Sequence, residues 1–417
     1  MKDMLGRGNV MTREEALNLL LYSLSGRRTR IAAVDIDEAL GMVCAESVVA
    51  SEDLPAFRRS TVDGYAVRAS DTFGASEGMP AYLNLSGEVF MGERAGCRVG
   101  NGSAGKIPTG GMLPEGADAV VMFEHVQVVD GSLIEVMKPA APGENAIQPG
   151  EDVKNGEVVV KKGKRIRPQD ISACAGIGVL QINVFRRPVV AIISTGDELV
   201  SAAEKPAPGR IRDTNSYAIA GMVSEAGGVP SRKGIFKDDY HSLRKVIEDA
   251  VTGADAIAVS GGTSVGTKDM IARIIEDIGS PGILFHGLSL KPGKPMIGGI
   301  IRGVPIFGLP GHPAAVTVCV DVFIRPVLDL LSGLEKPTAH RLRGIVRARL
   351  ARNVSSSQGR EEYVRATIEE REDGLWAVPI LGKSGLIRTL TKADGTFVIP
   401  LHCNGIEKGE VVEVRLF

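Results

Sequence analysis

Ser260-Gly261-Gly262-Thr263-Ser264-Val265-Gly266-Thr267-Lys268-Asp269 is the stretch on which the fold turns. A largely apolar run, Asp255-Ala256-Ile257-Ala258-Val259, precedes it, and Met270, Ile271, Ile274, Ile275 and Ile278 follow. The second set recurs at helical spacing, whereas the first is the short unbroken run of a parallel strand buried on both faces. The order is strand, loop, helix. The loop therefore sits at a strand's carboxyl end, the edge where open α/β sheets hold ligands. Glycines there let backbone amides approach a phosphate or other oxyanion, so the loop reads as an anion cradle, with a small-residue turn as the alternative. Its spacing matches neither Gly-x-Gly-x-x-Gly nor the Walker pattern, so neither a dinucleotide site nor a P-loop is supported.

Outward from the loop, strands and helices alternate. Val189–Ile193 is an apolar strand, Ser216–Ala226 a helix started by Asn215, Gly228–Phe236 extended, and His241–Val251 a helix. After the cradle come Ile283–Leu288, a Lys-Pro-Gly-Lys-Pro turn at 291–295, short strands around Ile297 and Ile306, and a long helix from Pro313 to Leu331. This alternation predicts a three-layer α/β domain over 186–333, with helices on both faces of the sheet. Residues 51–144 carry short β-prone runs between glycines and read as a β-rich insert. The mixed segments on either side, 1–50 and 145–185, are expected to close into one discontinuous N-terminal domain. Thr12 and Glu15 form a capping box for its opening helix, whose face is Leu17, Leu20, Leu21 and Leu24. Residues 334–417 return to short strands and predict a small β-barrel.

With 49 Lys and Arg against 50 Asp and Glu, and no long run of one sign, neither nucleic acid nor an anionic membrane is the implied partner. The five cysteines are scattered without a Cys-x-x-Cys pair, so neither a disulfide framework nor a zinc site is expected. No apolar run is long enough to span a bilayer and no signal peptide opens the chain, so a cytoplasmic protein is expected.

Several loops of the α/β domain share the strand-end edge by topology. They are Ser194-Thr195-Gly196-Asp197-Glu198, Asp213-Thr214-Asn215, the stretch 260–269, and Leu309-Pro310-Gly311-His312-Pro313. Pro313 suits a first helical turn, leaving free amides that favour negative charge. Lys291 and Lys294 add two cations, or simply tip a solvated hairpin. Asp197, Glu198, Asp213 and Asp269 would repel an anion unless a cation stood between them, and magnesium is the simplest choice. The alternative for Asp213 and Asp269 is helix capping. Outside this block, Arg58–Ala66 and Pro108–Pro114 resist a purely structural account.

Taken together, Ser-Thr-Val-Asp-Gly-Tyr-Ala at 60–66, Thr-Gly-Gly-x-Leu-Pro-Glu-Gly-Ala-Asp at 109–118, Gly-Glu-Asp at 150–152, Ser-Thr-Gly-Asp-Glu-Leu at 194–199, Asp-Thr-Asn at 213–215, Ser-Gly-Gly-Thr-Ser-Val-Gly-x-x-Asp at 260–269, Lys-Pro-Gly-Lys-Pro at 291–295 and Gly-Leu-Pro-Gly-x-Pro at 308–313 resemble the molybdopterin molybdenumtransferase (MoeA) family, which includes the E domain of gephyrin. The match runs nearly end to end. The resemblance implies an elongated homodimer of four-domain subunits that transfers molybdate to adenylated molybdopterin and releases AMP, with Mg2+ as cofactor. It also implies contact with the adenylyltransferase that supplies the substrate.

By this similarity Asp63, Glu198 and Asp269 are catalytic, with Glu198 and Asp269 on the metal and Asp63 on a facing wall from the other subunit. Thr109, Gly110, Asp152, Thr195, Gly196, Asp197, Asp213, Asn215, Gly261, Gly262, Thr263, Ser264, Lys291, Lys294, Pro310 and Pro313 are the implied substrate residues. Two departures stand out: His312 replaces the commoner Asn, and Thr61-Val62 the commoner Ala-Met. The rival readings are a molybdopterin adenylyltransferase and a non-catalytic pterin-binding scaffold or sensor.

Overall fold

The computed structural model describes residues 10–261, 265–335 and 344–417, with the side chains of 265–269 outside that description. The central sheet has six strands in the order Val229–Phe236, Val189–Thr195, Ala256–Gly261, Val304–Leu309, Ile297–Ile301, Gly282–His286. The first four are parallel, and Ile297–Ile301 runs against its neighbours on both sides. Along Val189–Thr195, Val190 and Ile192 enter one core with the helices Arg13–Ser23, Asn215–Glu225 and Pro313–Leu331. Ala191 and Ile193 enter a second core with Tyr240–Gly253 and Val265–Ile278 on the other face. Period-two side-chain alternation between two buried faces is what makes the run apolar without a break.

The opening helix Arg13–Ser23 has its capping box, Thr12 with Glu15. Its Ala16, Leu17 and Leu20, with Leu24 beyond, pack into the α/β core beside Ile219 and Phe285. The apolar face of this helix is buried against the sheet domain and not against 145–185. From Ile31 onward the N-terminal segment and 145–185 do interleave. Ile31–Asp35 and Val43–Cys44 flank Gln181–Phe185 in an antiparallel sheet, and Ile36, Cys44 and Val48 share a core with Val160, Ile166 and Ile182.

In this unit Asp170 is buried yet charged. It accepts from Lys164 Nζ at 2.5 Å and from Arg167 through Nε at 3.1 Å and the backbone amide at 3.0 Å. Burial alone would raise this carboxyl, but the bonds from Arg167 and Lys164 outweigh it and hold the group below its ordinary value. A depressed folded pKa adds stability above the unfolded pKa, roughly 3.9, and that stability is lost as pH falls through the folded one. Asp170→Asn is expected to cost about 2 kcal/mol at neutral pH. Its unfolding midpoint should converge with that of the unsubstituted chain as the solution is acidified. A gap independent of pH would show that the charge contributes nothing.

The insert is a six-stranded sheet in the order Ala119–Met122, Gly64–Val67, Ser103–Ile107, Ala81–Glu88, Leu133–Val136, Val126–Val128. At the C-terminus, Glu361–Arg371, Gly374–Pro379, Ile345–Leu350, Val411–Leu416 and Gly395–Ile399 pair in turn. The last returns to Glu361–Arg371 and closes a five-stranded barrel around Phe397, Leu350 and Val414. Leu290–Lys291 adds to that barrel in parallel, stitching the Lys-Pro-Gly-Lys-Pro turn to it.

All five cysteines are free thiols, and complete burial pushes Cys319 far above its ordinary value. Among the described residues no helix is long and apolar enough to cross a membrane, and no cluster of three or more His, Cys, Asp or Glu side chains could hold a metal.

Candidate functional site

The strand ends converge as the topology requires, and their hydrogen bonds say what each side chain does. Ser194 Oγ donates to Asp213 Oδ2 at 2.8 Å, and the Ser216 amide donates to Asp213 Oδ1 at 3.1 Å, both within buried surroundings. Both carboxylate oxygens are thus engaged by the fold. For Asp213 the helix-capping alternative is the one the geometry carries. Thr195 Oγ1 donates to Asp238 Oδ1 at 2.7 Å. Asn215 Nδ2 donates to Ser260 Oγ at 3.0 Å and to the Gly311 carbonyl at 2.9 Å, tying a helix start, a strand end and the next loop together. Its Oδ1 is buried without a donor among the described residues. A buried acceptor in that state carries an unmet desolvation cost that a ligand N–H or O–H can relieve.

Glu198, like the adjacent Asp197, has a carboxylate with no hydrogen bond or ion pair among the described residues. It is half-buried, and its backbone carbonyl accepts from the Ile211 amide at 2.9 Å. A Cβ on Gly196 would lie 2.8 Å from Glu198 Oε2, so the glycine makes room for the carboxylate. Asp197 is exposed, and its carbonyl accepts from Arg210 Nη1. Gly261 stands opposite Thr195 in the parallel register. Gly262, Thr263, Ser264 and the side chain of Asp269 lie outside the described residues. An unpaired carboxylate at a strand-end cleft fits a hard cation that takes one or two carboxylates plus substrate oxygens.

Next to this edge, joined to it through Pro310 and Gly311, lies a cavity of about 420 Å³ between the α/β domain and the barrel. Lys291, Lys294, Arg360, Arg365, Lys383 and His312 line it, against the single acid Glu362. Lys291 is not a free cation as the sequence suggests, since its Nζ sits 2.8 Å from Glu362 Oε1, held by Ser356 on the other oxygen. Lys294 has no such partner among the described residues. Arg365 Nη2 donates to the Gly382 carbonyl at 3.2 Å, while Nη1 is buried with no acceptor among the described residues. Burial pushes the Arg365 guanidinium below its ordinary value, so it has most to gain from an incoming oxyanion. Pro313 occupies the first turn of its helix, as expected. The following amide, Ala314 N, is already taken by the Ser384 carbonyl of the barrel at 3.2 Å, so that helix start offers less to a ligand than its sequence implies.

The remaining predicted residues stand elsewhere. The Thr109 amide donates to Asp63 Oδ1 at 2.7 Å, and Gly110 N donates to the Ser60 carbonyl at 2.8 Å, so exposed Asp63 and Thr109 and half-buried Gly110 form one patch on the insert. Asp152 is exposed at the hinge, its amide bonded to the Leu54 carbonyl at 3.1 Å. Among the described residues no hydrogen bond, ion pair or shared apolar core joins the insert to the strand-end edge. Sequence reasoning misses Arg360, Arg365 and Lys383. The Arg-x-x-x-x-Arg of the strand edge was the available signal, but a period-two strand does not announce which polar residue turns toward a neighbouring domain.

Fold and site define a multidomain α/β protein with a basic cavity adjoining the strand ends of its central sheet. The MoeA N-terminal region (domain I and II) matches residues 11–178, the "Probable molybdopterin binding domain" residues 191–330, and the MoeA C-terminal region (domain IV) residues 347–417. The chain belongs to the molybdopterin molybdenumtransferase (MoeA) family. It is 37% identical to a molybdopterin biosynthesis protein of Methanocaldococcus jannaschii over 98% of both chains. It is 32% identical to the molybdopterin molybdenumtransferase of Bacillus subtilis over 92% of this chain and 89% of that one. The crystal structure of the molybdopterin biosynthesis MoeA protein of Pyrococcus horikoshii superposes with a TM-score of 0.85 at 33% identity, covering 98% of this chain and 100% of that one.

Proposed function

We propose that the chain inserts molybdenum into molybdopterin, taking molybdate and the adenylated pterin and releasing AMP. The observation that carries this reading is the basic cavity beside an unspent carboxylate at the strand ends, in a family whose members are named for that transfer. Lys294 and Arg365 hold the tetrahedral oxyanion by charge-assisted hydrogen bonds. Asn215 fixes the loops around the reacting end of the pterin substrate. Glu198 and Asp269 would hold a magnesium ion, which would supply charge neutralisation between phosphate and oxyanion. The insert patch of Asp63 and Thr109 acts as the facing wall from the second subunit of a cytoplasmic homodimer, which leaves each chain's own edge open to its partner.

The test is an assay with purified adenylated molybdopterin, magnesium and molybdate. AMP release coupled to metal insertion is expected. ATP consumption would instead indicate an adenylyltransferase, and tight pterin binding without turnover a scaffold. Arg365→Ala is expected to raise the molybdate concentration for half-maximal rate about 10- to 100-fold, the worth of a hydrogen bond to a charged group. An unchanged molybdate dependence would remove the oxyanion from this cavity.

A further inference from the structure

A second cleft, of about 950 Å³, opens from Gly196 and Asp213 toward the edge strand Val229–Phe236 and is not used by the chemistry above. On its wall the guanidinium carbon of Arg232 lies 3.9 Å from the centroid of the Tyr217 ring. Both side chains are exposed, Tyr217 by 50%, so burial does not force the stack. Arg232 has no carboxylate and no hydrogen-bond acceptor among the described residues, so its N–H groups point into the cleft's rim unspent. Arg210 and Lys237 line the same cleft together with the acids Asp197, Glu204 and Asp213, of which Asp213 has both oxygens engaged within the fold.

We propose that Tyr217 and Arg232 form a stacking seat for a planar nitrogen heterocycle carrying phosphate, one of the two aromatic ends of the substrate. This rests on the functional reading above, since only an adenylated pterin presents such a ring at either end. A guanidinium laid on a tyrosine presents a flat, delocalised cation that stacks on a heteroaromatic ring while its in-plane N–H groups meet the ring's acceptors. Arg210 and Lys237 then face the phosphate, in a cleft that reaches the strand end at Gly196 and Asp197. Tyr217 and Arg232 are specificity residues that act in binding, remote from the reacting atoms.

The experiment measures calorimetric binding of two probes, AMP and a pterin monophosphate, alongside AMP release from the full substrate. The unsubstituted chain is expected to bind one of them, which says which end the seat takes. Tyr217→Ala is expected to weaken that probe about tenfold, the usual worth of a base-stacking aromatic, and to raise KM with little change in kcat. Tyr217→Phe retains binding and Arg232→Lys does not, because an ammonium cannot stack. Equal binding of the favoured probe by all variants, or binding of neither probe by the unsubstituted chain, overturns the seat. If the unsubstituted chain releases no AMP from the full substrate, the functional reading itself fails.

Discussion

Glu198→Gln is expected to lower the rate of AMP release by about 10² to 10³-fold, the scale of losing one electrostatic contact to the reacting charge. The substitution is isosteric, so the contact with Gly196 survives. It also breaks no protein hydrogen bond, because the carboxylate has none among the described residues. The melting temperature should therefore stay within about 2 °C of the original. What changes is the charge. An acid without a partner among the described residues, beside the two anions of the proposed substrates, is tolerable when a divalent cation lies between, and an amide holds such a cation poorly. Two further measurements separate this from general damage. Molybdate binding in the basic cavity should be unaffected, since Lys294 and Arg365 do not depend on Glu198, and raising magnesium should recover part of the lost rate. A variant at full rate ends the assignment.

The parts of the fold that were legible in the sequence are those where one local pattern has one solution. Val190, Ala191, Ile192 and Ile193 form an unbroken apolar run only because each faces a helix layer, and the alternation of strand and helix then leaves few topologies. The capping box at Thr12 and Glu15 fixes a helix start in the same way. Which domain that helix joins is decided by long-range packing, and Leu17 and Leu20 look alike whichever core receives them.

The site divides along the same line. Residue types at strand ends mark the edge, but the partner of each side chain is a tertiary fact. Asp213 is absorbed by Ser194 and Ser216, Lys291 by Glu362, and the amide after Pro313 by Ser384. Among the described residues the Glu198 carboxylate and Arg365 Nη1 remain without a partner, and nothing in their sequence neighbourhood distinguishes them from the groups that pair.

Gly261→Ala is expected to damage this edge more than any other single methyl in the chain's central sheet. A Cβ at Gly261 would stand 1.8 Å from the Thr195 carbonyl oxygen and 2.6 Å from its carbon, both backbone atoms of the adjacent parallel strand. Ordinary contact requires well over 3 Å, so a strand end must move by more than an ångström, and neither side is free to do so. Thr195 is held by Asp238, and Ser260, beside the substituted residue, by Asn215. The clash is with a ladder and cannot be relieved by a rotamer, so the cost exceeds the roughly 1–3 kcal/mol of ordinary overpacking. Two outcomes are expected together: an earlier unfolding transition, and loss of AMP release, because displacement of Thr195 carries Gly196 and Glu198 with it. Gly253→Ala is the control, since its Cβ would meet nothing within 4 Å at a helix end where alanine is favoured. If Gly261→Ala unfolds at the same temperature as Gly253→Ala and retains its rate, the close approach of these two strand ends is not what holds the ligand edge in shape.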